Sequence, residues 1–170
     1  MSALLKNSGV RVKVDAAETK SVGWKFNEWE LKGVPLRIEI GPRDVQNNSV
    51  VLARRDIRSK EAKEFVGVDA LGQRVPELLE DIQRSLFKRA VAFREANTVY
   101  ATTYDELVQG IEDRKFVHAF VSTDPVVEEK IKEDTKATHR CVPLDQKGDS
   151  GPCIVTGQIC TERAVFARAY

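Results

Sequence analysis

Long apolar runs are missing from this 170-residue sequence; none approaches the roughly 18 residues that argue for a membrane helix. The opening Met1-Ser2-Ala3-Leu4-Leu5-Lys6 holds too short an apolar stretch for a secretory signal, and the chain reads as cytoplasmic. Cysteine is scarce and odd in number, with only Cys141, Cys153 and Cys160. That fits a reducing compartment better than a disulfide framework. There is no Walker-type phosphate loop, no internal repeat and no low-complexity segment. A bulk charge of one sign is also absent, since the net charge is +1. The charges are nevertheless unevenly placed: residues 1–63 carry 13 Lys+Arg against 8 Asp+Glu, and the remainder carries 14 against 18. A basic first third suits a polyanion partner, although ordinary solvated surfaces reach such a balance too.

What the chain does have is concentrated in residues 23–44. This segment holds both tryptophans, Trp24 and Trp29, and sets Glu30, Lys32, Arg37, Glu39, Arg43 and Asp44 around two Gly/Pro breaks. Residues 36–40 alternate apolar and charged, the period of a half-buried strand. Leu36, Ile38 and Ile40 then point one way and Arg37 and Glu39 the other. Carboxylates and guanidiniums standing on a rigid wet face can read hydrogen-bonding edges, nucleic-acid bases among them. For Glu39 a cross-strand charge pair is the competing use. Trp24 and Trp29 could stack on splayed bases, but beside Phe26 at helical spacing they suit core packing better.

Around this segment the pattern predicts a helix tail over 1–8 stopping at Gly9, a strand at Val10–Val14, and a short helix at 24–32 with Phe26, Trp29 and Leu31 inward. Strands follow at 35–40, Ser49–Arg54 and Glu64–Val68, with Asp44 capping a short turn, Asn47-Asn48 turning, and a basic tip over Arg54–Lys60. Helical spacing of Val75, Leu78, Leu79, Ile82, Leu86 and Phe93 predicts a long helix from about 74 to 97, with Pro76 in its first turn. Its other face carries Arg84, Lys88, Arg89 and Arg94. Beyond residues 98–103 a second α/β unit is expected: helix 103–112, strand Phe116–Val121, helix from Asp124-Pro125 to Asp134, strand Arg140–Leu144, a loop over 147–152, and strands Cys153–Thr156 and Arg163–Ala169.

The segment Gly23–Asp44 resembles the C-terminal half of archaeal/eukaryotic-type prolyl-tRNA synthetases. The resemblance continues through Arg89–Glu95, Asp134–Pro143 and Phe166-Ala167-Arg168-Ala169-Tyr170, so it covers essentially the whole chain in order. It implies an α/β protein: a mixed-sheet anticodon-binding domain over 1–72, a connecting helix over 73–100, and a small α+β C-terminal domain over 101–170. The family's anticodon domain opens with a strand and a full helix before the Val10–Val14 strand. Only the tail of that helix is expected here, leaving the sheet one strand short and with a raw edge. The implied partner is the proline tRNA, whose anticodon ends in two guanines. The resemblance puts guanine contacts on Glu30, Arg37, Arg43 and Asp44, and a looser contact in the basic tip on Arg58 or Lys60. It sends the carboxylate of Tyr170 toward the parent enzyme's active site. That parent joins proline to tRNA with ATP and magnesium in a class II catalytic domain, as a homodimer. None of the catalytic motifs occurs in this sequence, so no catalytic residue is expected in it.

Many family members also hold zinc in the C-terminal domain through two cysteine pairs. At those positions this sequence has Ser122, Val127, Cys153 and Thr156, one ligand out of about four that zinc needs, and the expectation is no zinc. Cys141 with His139 or His118 is a conceivable nucleophilic pair, but no orienting third residue is evident. The alternative to a synthetase part is a free-standing RNA- or protein-binding module without catalytic activity.

Overall fold

The computed structural model describes residues 1–146 and 148–169, and for Lys60 the backbone alone. The Lys60 side chain and Tyr170, both candidates above, lie outside the described residues. The chain divides into two units, Met1–Ala90 and Val91–Tyr170.

In the first unit, α1 (Ser2–Asn7) stops at Gly9, whose φ of +78° suits a residue without Cβ. Helix α2 (Val22–Leu31) starts where the Ser21 hydroxyl accepts the Trp24 N–H at 3.3 Å. Strand β1 (Leu36–Glu39) leads into the single-turn α3 (Pro42–Gln46), then β2 (Ser49–Arg54) and β3 (Lys63–Gly67). The three strands form an antiparallel sheet in the order β1-β2-β3. Val50 and Leu52, both 0% exposed, face Leu5, Leu71, Val75 and Leu78, the last three from α4 (Leu71–Ala96). Half-buried Leu36 and Ile38 complete this core, as their alternation predicts.

Four expectations for this unit need correction. Val10–Val14 joins no sheet. Val10 and Val12 do pack on the core, because a period of two decides which side chains are buried but does not supply a neighbouring strand. Leu31 is 87% exposed, since residues two apart on a helix do not share a face and Trp29 takes the inner one. Helix α4 begins at Leu71 after a 3₁₀ turn at Val68–Ala70, so Pro76 sits inside the helix rather than in its first turn. The buried stripe of α4 ends at Ile82, and Phe93 is 68% exposed.

The basic tip is tied back by a half-buried pair. Arg54 Nε and Nη2 donate to the two Asp56 oxygens at 3.0 and 2.8 Å, and Nη1 donates to Asp81 on α4 at 2.6 Å. The Asp56 side chain is 1% exposed. The Arg54 hydrogen bonds hold its carboxyl below the usual range, against the opposing effect of burial. A carboxyl depressed by folding adds stability above its unfolded pKa and loses it as the pH falls through the folded one. Unfolding midpoints should therefore drop on acidification below about pH 4, and an Asp56→Asn variant, already weaker at neutral pH, should drop less steeply in that window. Denaturant titrations at a series of pH values check this.

The second unit builds a four-stranded mixed sheet, β4-β5-β9-β6, in which only β4 and β5 run parallel. Its strands are β4 (Thr98–Tyr100), β5 (Phe116–Phe120), β6 (Ala137–Cys141) and β9 (Arg163–Arg168), with a small hairpin of β7 (Gly151–Pro152) and β8 (Ile159–Cys160). Helix α5 (Tyr104–Glu112) opens with a capping box of Thr103 and Glu106. Helix α6 (Pro125–Thr135) is capped by Asp124, whose Oδ1 accepts the Val126 N–H at 2.9 Å. A Cβ on Gly110 would stand 2.7 Å from Val117 and 3.0 Å from Val99, so only glycine lets α5 lie this close to the sheet. Phe166, Leu107, Ile111, Val117 and Ile131 form the core. Two expectations shift. The strand expected at Arg140–Leu144 is β6, placed earlier because it pairs with β9 from Ala137 onward. Cys153–Thr156 is a turn, closed where Gly157 at φ +76° donates its N–H to the Cys153 carbonyl at 2.8 Å.

Candidate nucleic-acid interface

The β1-β2-β3 sheet turns one face to its core and presents on the other the side chains of odd-numbered residues. Register sets them in two rows: Arg37, Ala53 and Lys63, then Glu39, Val51 and Phe65. Arg37 is the hub. Its Nη1 donates to Glu30 Oε1 at 2.7 Å, and its Nε and Nη2 donate to Glu39 Oε1 at 3.1 and 2.9 Å. Its guanidinium lies over the Phe26 ring, 3.7 Å from the centroid. Lys63 Nζ donates to the other Glu39 oxygen at 2.8 Å. Burial works against the charge of Glu39, but the Lys63 and Arg37 hydrogen bonds outweigh it and hold its carboxyl low. The cross-strand use weighed for Glu39 is therefore present, reaching Lys63 on β3.

Two sequence-predicted site residues, Glu30 at the end of α2 and Arg37 on β1, thus meet directly. Arg43 and Asp44 stand on α3, immediately after β1. Asp44 Oδ2 accepts the Gly41 N–H at 2.8 Å, as the expected cap, which leaves its second oxygen for other partners. No ion pair links Arg43 or Asp44 to Glu30 or Arg37 among the described residues. Arg58 is exposed on the tip between β2 and β3.

Three features of this face were not read from the sequence. A dent beside the hub is lined by Trp29, Glu30, Val34, Arg37, Ala53 and Arg55. Trp29 is fixed in that wall because its Nε1 donates to Asp15 Oδ2 at 2.7 Å, a bond that is also the main cause of the lowered Asp15 carboxyl. Phe65, 74% exposed on the sheet surface, presents a bare aromatic ring in the row of Glu39. The strand pattern around 64–68 was legible, but that Phe65 shares a face with Arg37 and Glu39 depends on cross-strand register.

In the second unit, the position that the resemblance gives to zinc is short of donors. Cys153 is 3% exposed, and its Sγ accepts N–H groups from Ser122 at 3.3 Å and Thr156 at 3.5 Å. Cys160 packs on the same cluster and is the one added donor among the described residues. Two thiols do not fit a tetrahedral site that needs about four ligands. Elsewhere, Cys141 is exposed on β6, with a register irregularity between it and His139. His139 stacks on Phe166 at 5.6 Å, and His118 lies against Tyr100 at 4.8 Å. No hydrogen bond joins Cys141 to either histidine among the described residues.

Residues 1–78 match the family model described as anticodon binding domain, which defines the class of the unit that carries the charged face. Residues 104–170 match the model described as prolyl-tRNA synthetase, C-terminal. The chain is 51% identical over 161 residues to the proline–tRNA ligase of Chloroflexus aurantiacus, covering 95% of this chain and 33% of that protein. It is 44% identical over 169 residues to the chloroplastic/mitochondrial proline–tRNA ligase of Arabidopsis thaliana, covering 98% and 31%. A solved prolyl-tRNA synthetase from Cryptosporidium parvum, complexed with L-proline and AMP, superposes with a TM-score of 0.86 at 33% identity, covering 99% of this chain and 36% of that one. The chain belongs to the prolyl-tRNA synthetase family and comprises that family's anticodon-binding and C-terminal domains. It spans about a third of the length of the curated relatives it matches.

Proposed function

We propose that this chain reads the anticodon of the proline tRNA on behalf of a proline–tRNA ligase. The observation that carries the reading is the Glu30–Arg37–Glu39 array, held rigid on one sheet face of an anticodon-binding domain. Its groups match a guanine edge. A carboxylate accepts from guanine N1–H and the exocyclic amine, and a guanidinium donates to O6 and N7. Arg37 and Glu30 are committed to each other at 2.7 Å, so a bound guanine takes the place of this internal pair and each group exchanges one partner for another. Arg43 and Asp44 extend the contact along α3, and Phe65 offers a platform on which an unstacked base can lie. Arg58 or Lys60 adds the looser anticodon contact at the tip, and Arg55 beside the dent meets a phosphate.

The rest of the reading concerns the parent. Proline activation with ATP and magnesium and transfer to tRNA belong to a class II catalytic domain, in a cytoplasmic homodimer. The residues of this chain supply recognition and no catalytic group. The test is the affinity of the chain for the proline tRNA against a non-cognate tRNA of equal length. Tighter binding of the proline tRNA supports the proposal, and equal binding at moderate salt opposes it. We also propose that the C-terminal domain holds no zinc and relies on apolar packing. Metal analysis of the pure protein should find well under one equivalent, and a full equivalent would contradict this.

A further inference from the structure

In the second unit, the β7-β8 hairpin brings two cysteines to one point. Gly151 pairs with Cys160 and Pro152 with Ile159, and the Cys153 N–H donates to the Gln158 carbonyl at 2.7 Å. The register continues past the two short strands and sets Cys153 diagonally across from Cys160. Both side chains pack on the same apolar cluster. The two differ in setting. Cys153 is buried and its sulfur is cradled by the Ser122 and Thr156 N–H groups, donors that favour a thiolate. Cys160 is half-buried and open to small reagents. The third cysteine, Cys141, stands exposed on β6, outside this hairpin.

We propose that Cys153 and Cys160 form a redox-active dithiol that closes to an intramolecular disulfide when a small-molecule disulfide such as oxidised glutathione prevails. Diagonal placement across one tight hairpin, on one apolar cluster, keeps small the backbone movement that joining the sulfurs needs. The sequence of bonds is as follows. Cys160 loses its proton to solvent, and its thiolate attacks one sulfur of the glutathione disulfide. A mixed disulfide forms and one glutathione leaves as thiolate, which takes up a proton. The Cys153 thiolate, held by its two N–H donors, then attacks the Cys160 sulfur and expels the second glutathione. Two protein thiols are oxidised and one disulfide is reduced to two thiols, so atoms and electrons balance. The product closes the Cys153–Cys160 turn covalently, at the place where many members of the family use zinc.

The experiment equilibrates the whole chain in glutathione buffers of rising oxidised fraction, quenches with an alkylating reagent, and maps each cysteine by mass spectrometry. Cys153 and Cys160 should lose alkylation together with one midpoint, at least about tenfold in the oxidised buffer, with the chain lighter by two hydrogens and carrying no glutathione there. A Cys141→Ser variant should behave the same. Cys160→Ser should leave Cys153 alkylatable once the chain is unfolded, and Cys153→Ser should trap glutathione on Cys160. Glutathione found on Cys141 alone, with Cys153 and Cys160 still reduced, would overturn the proposal. So would an unchanged oxidation of Cys153 in the Cys160→Ser variant.

Discussion

Replacing Arg37 by alanine should weaken binding of the proline tRNA by about 1–3 kcal/mol, roughly fivefold to more than a hundredfold. The size follows from its position as the hub of the wet face. One side chain bonds Glu30, bonds Glu39 twice and covers the Phe26 ring. Alanine removes the guanidinium fork at the centre of the face and leaves Glu30 without its cation and Glu39 with Lys63 alone, so the face also repels phosphate more. Arg37→Lys keeps the charge but not the planar fork, so it should recover only part of the loss. Glu30→Ala should cost less than Arg37→Ala, because Glu39, itself bonded by Lys63, still holds the guanidinium in place. The two losses should not add in the double variant, since each partner positions the other. Filter binding or titration calorimetry with the unaltered chain, the four variants and one tRNA measures all of this. If Arg37→Ala binds the proline tRNA as tightly as the parent chain, the hub is structural and not a reader.

Replacing Phe166 by alanine should destabilise the second unit by about 3–5 kcal/mol. The ring is 2% exposed and sits on β9 between Val117 of β5 and His139 of β6. It also stacks on the His139 imidazole. Loss of that much is a large share of the roughly 5–15 kcal/mol that a domain has in total. If the domain holds no zinc, as proposed, packing alone offsets the cavity. Both tryptophans lie in the first unit, which makes the effect separable. Far-UV circular dichroism should show part of the chain unfolding at lower denaturant, while the tryptophan fluorescence transition moves much less. A common shift of both signals would mean that the two units unfold as one.

Much of this was legible in the sequence because local chemistry decided it. Thr103 and Asp124 cap the helices they open, and the alternation at 36–39 and 49–54 marks strands whose faces the structure keeps, whereas Ile40, expected beside Leu36 and Ile38, lies past the end of β1 and is 49% exposed. The Glu30–Arg37 pair was within reach because the motif around it resembles a known family residue by residue. What was not legible needed a partner distant in the chain. Val10–Val14 has a flawless strand period and no strand to pair with. β4 is three residues long and exists because β5 lies beside it. Cys153–Thr156 has the composition of a strand, but Gly157 in the left-handed region folds it into a turn. The roles of Lys63, Phe65 and Asp15 at the interface follow from register and tertiary packing, and no spacing rule reports those.

The central claim is that the face built on Arg37 reads guanine. The most direct measurement is the affinity of the unaltered chain for the proline tRNA and for the same tRNA with its two anticodon guanines replaced by adenines. The account predicts binding at least about tenfold weaker to the altered tRNA, the equivalent of about 1.4 kcal/mol or more, with the difference retained as salt is raised. Equal affinity for the two tRNAs would contradict it.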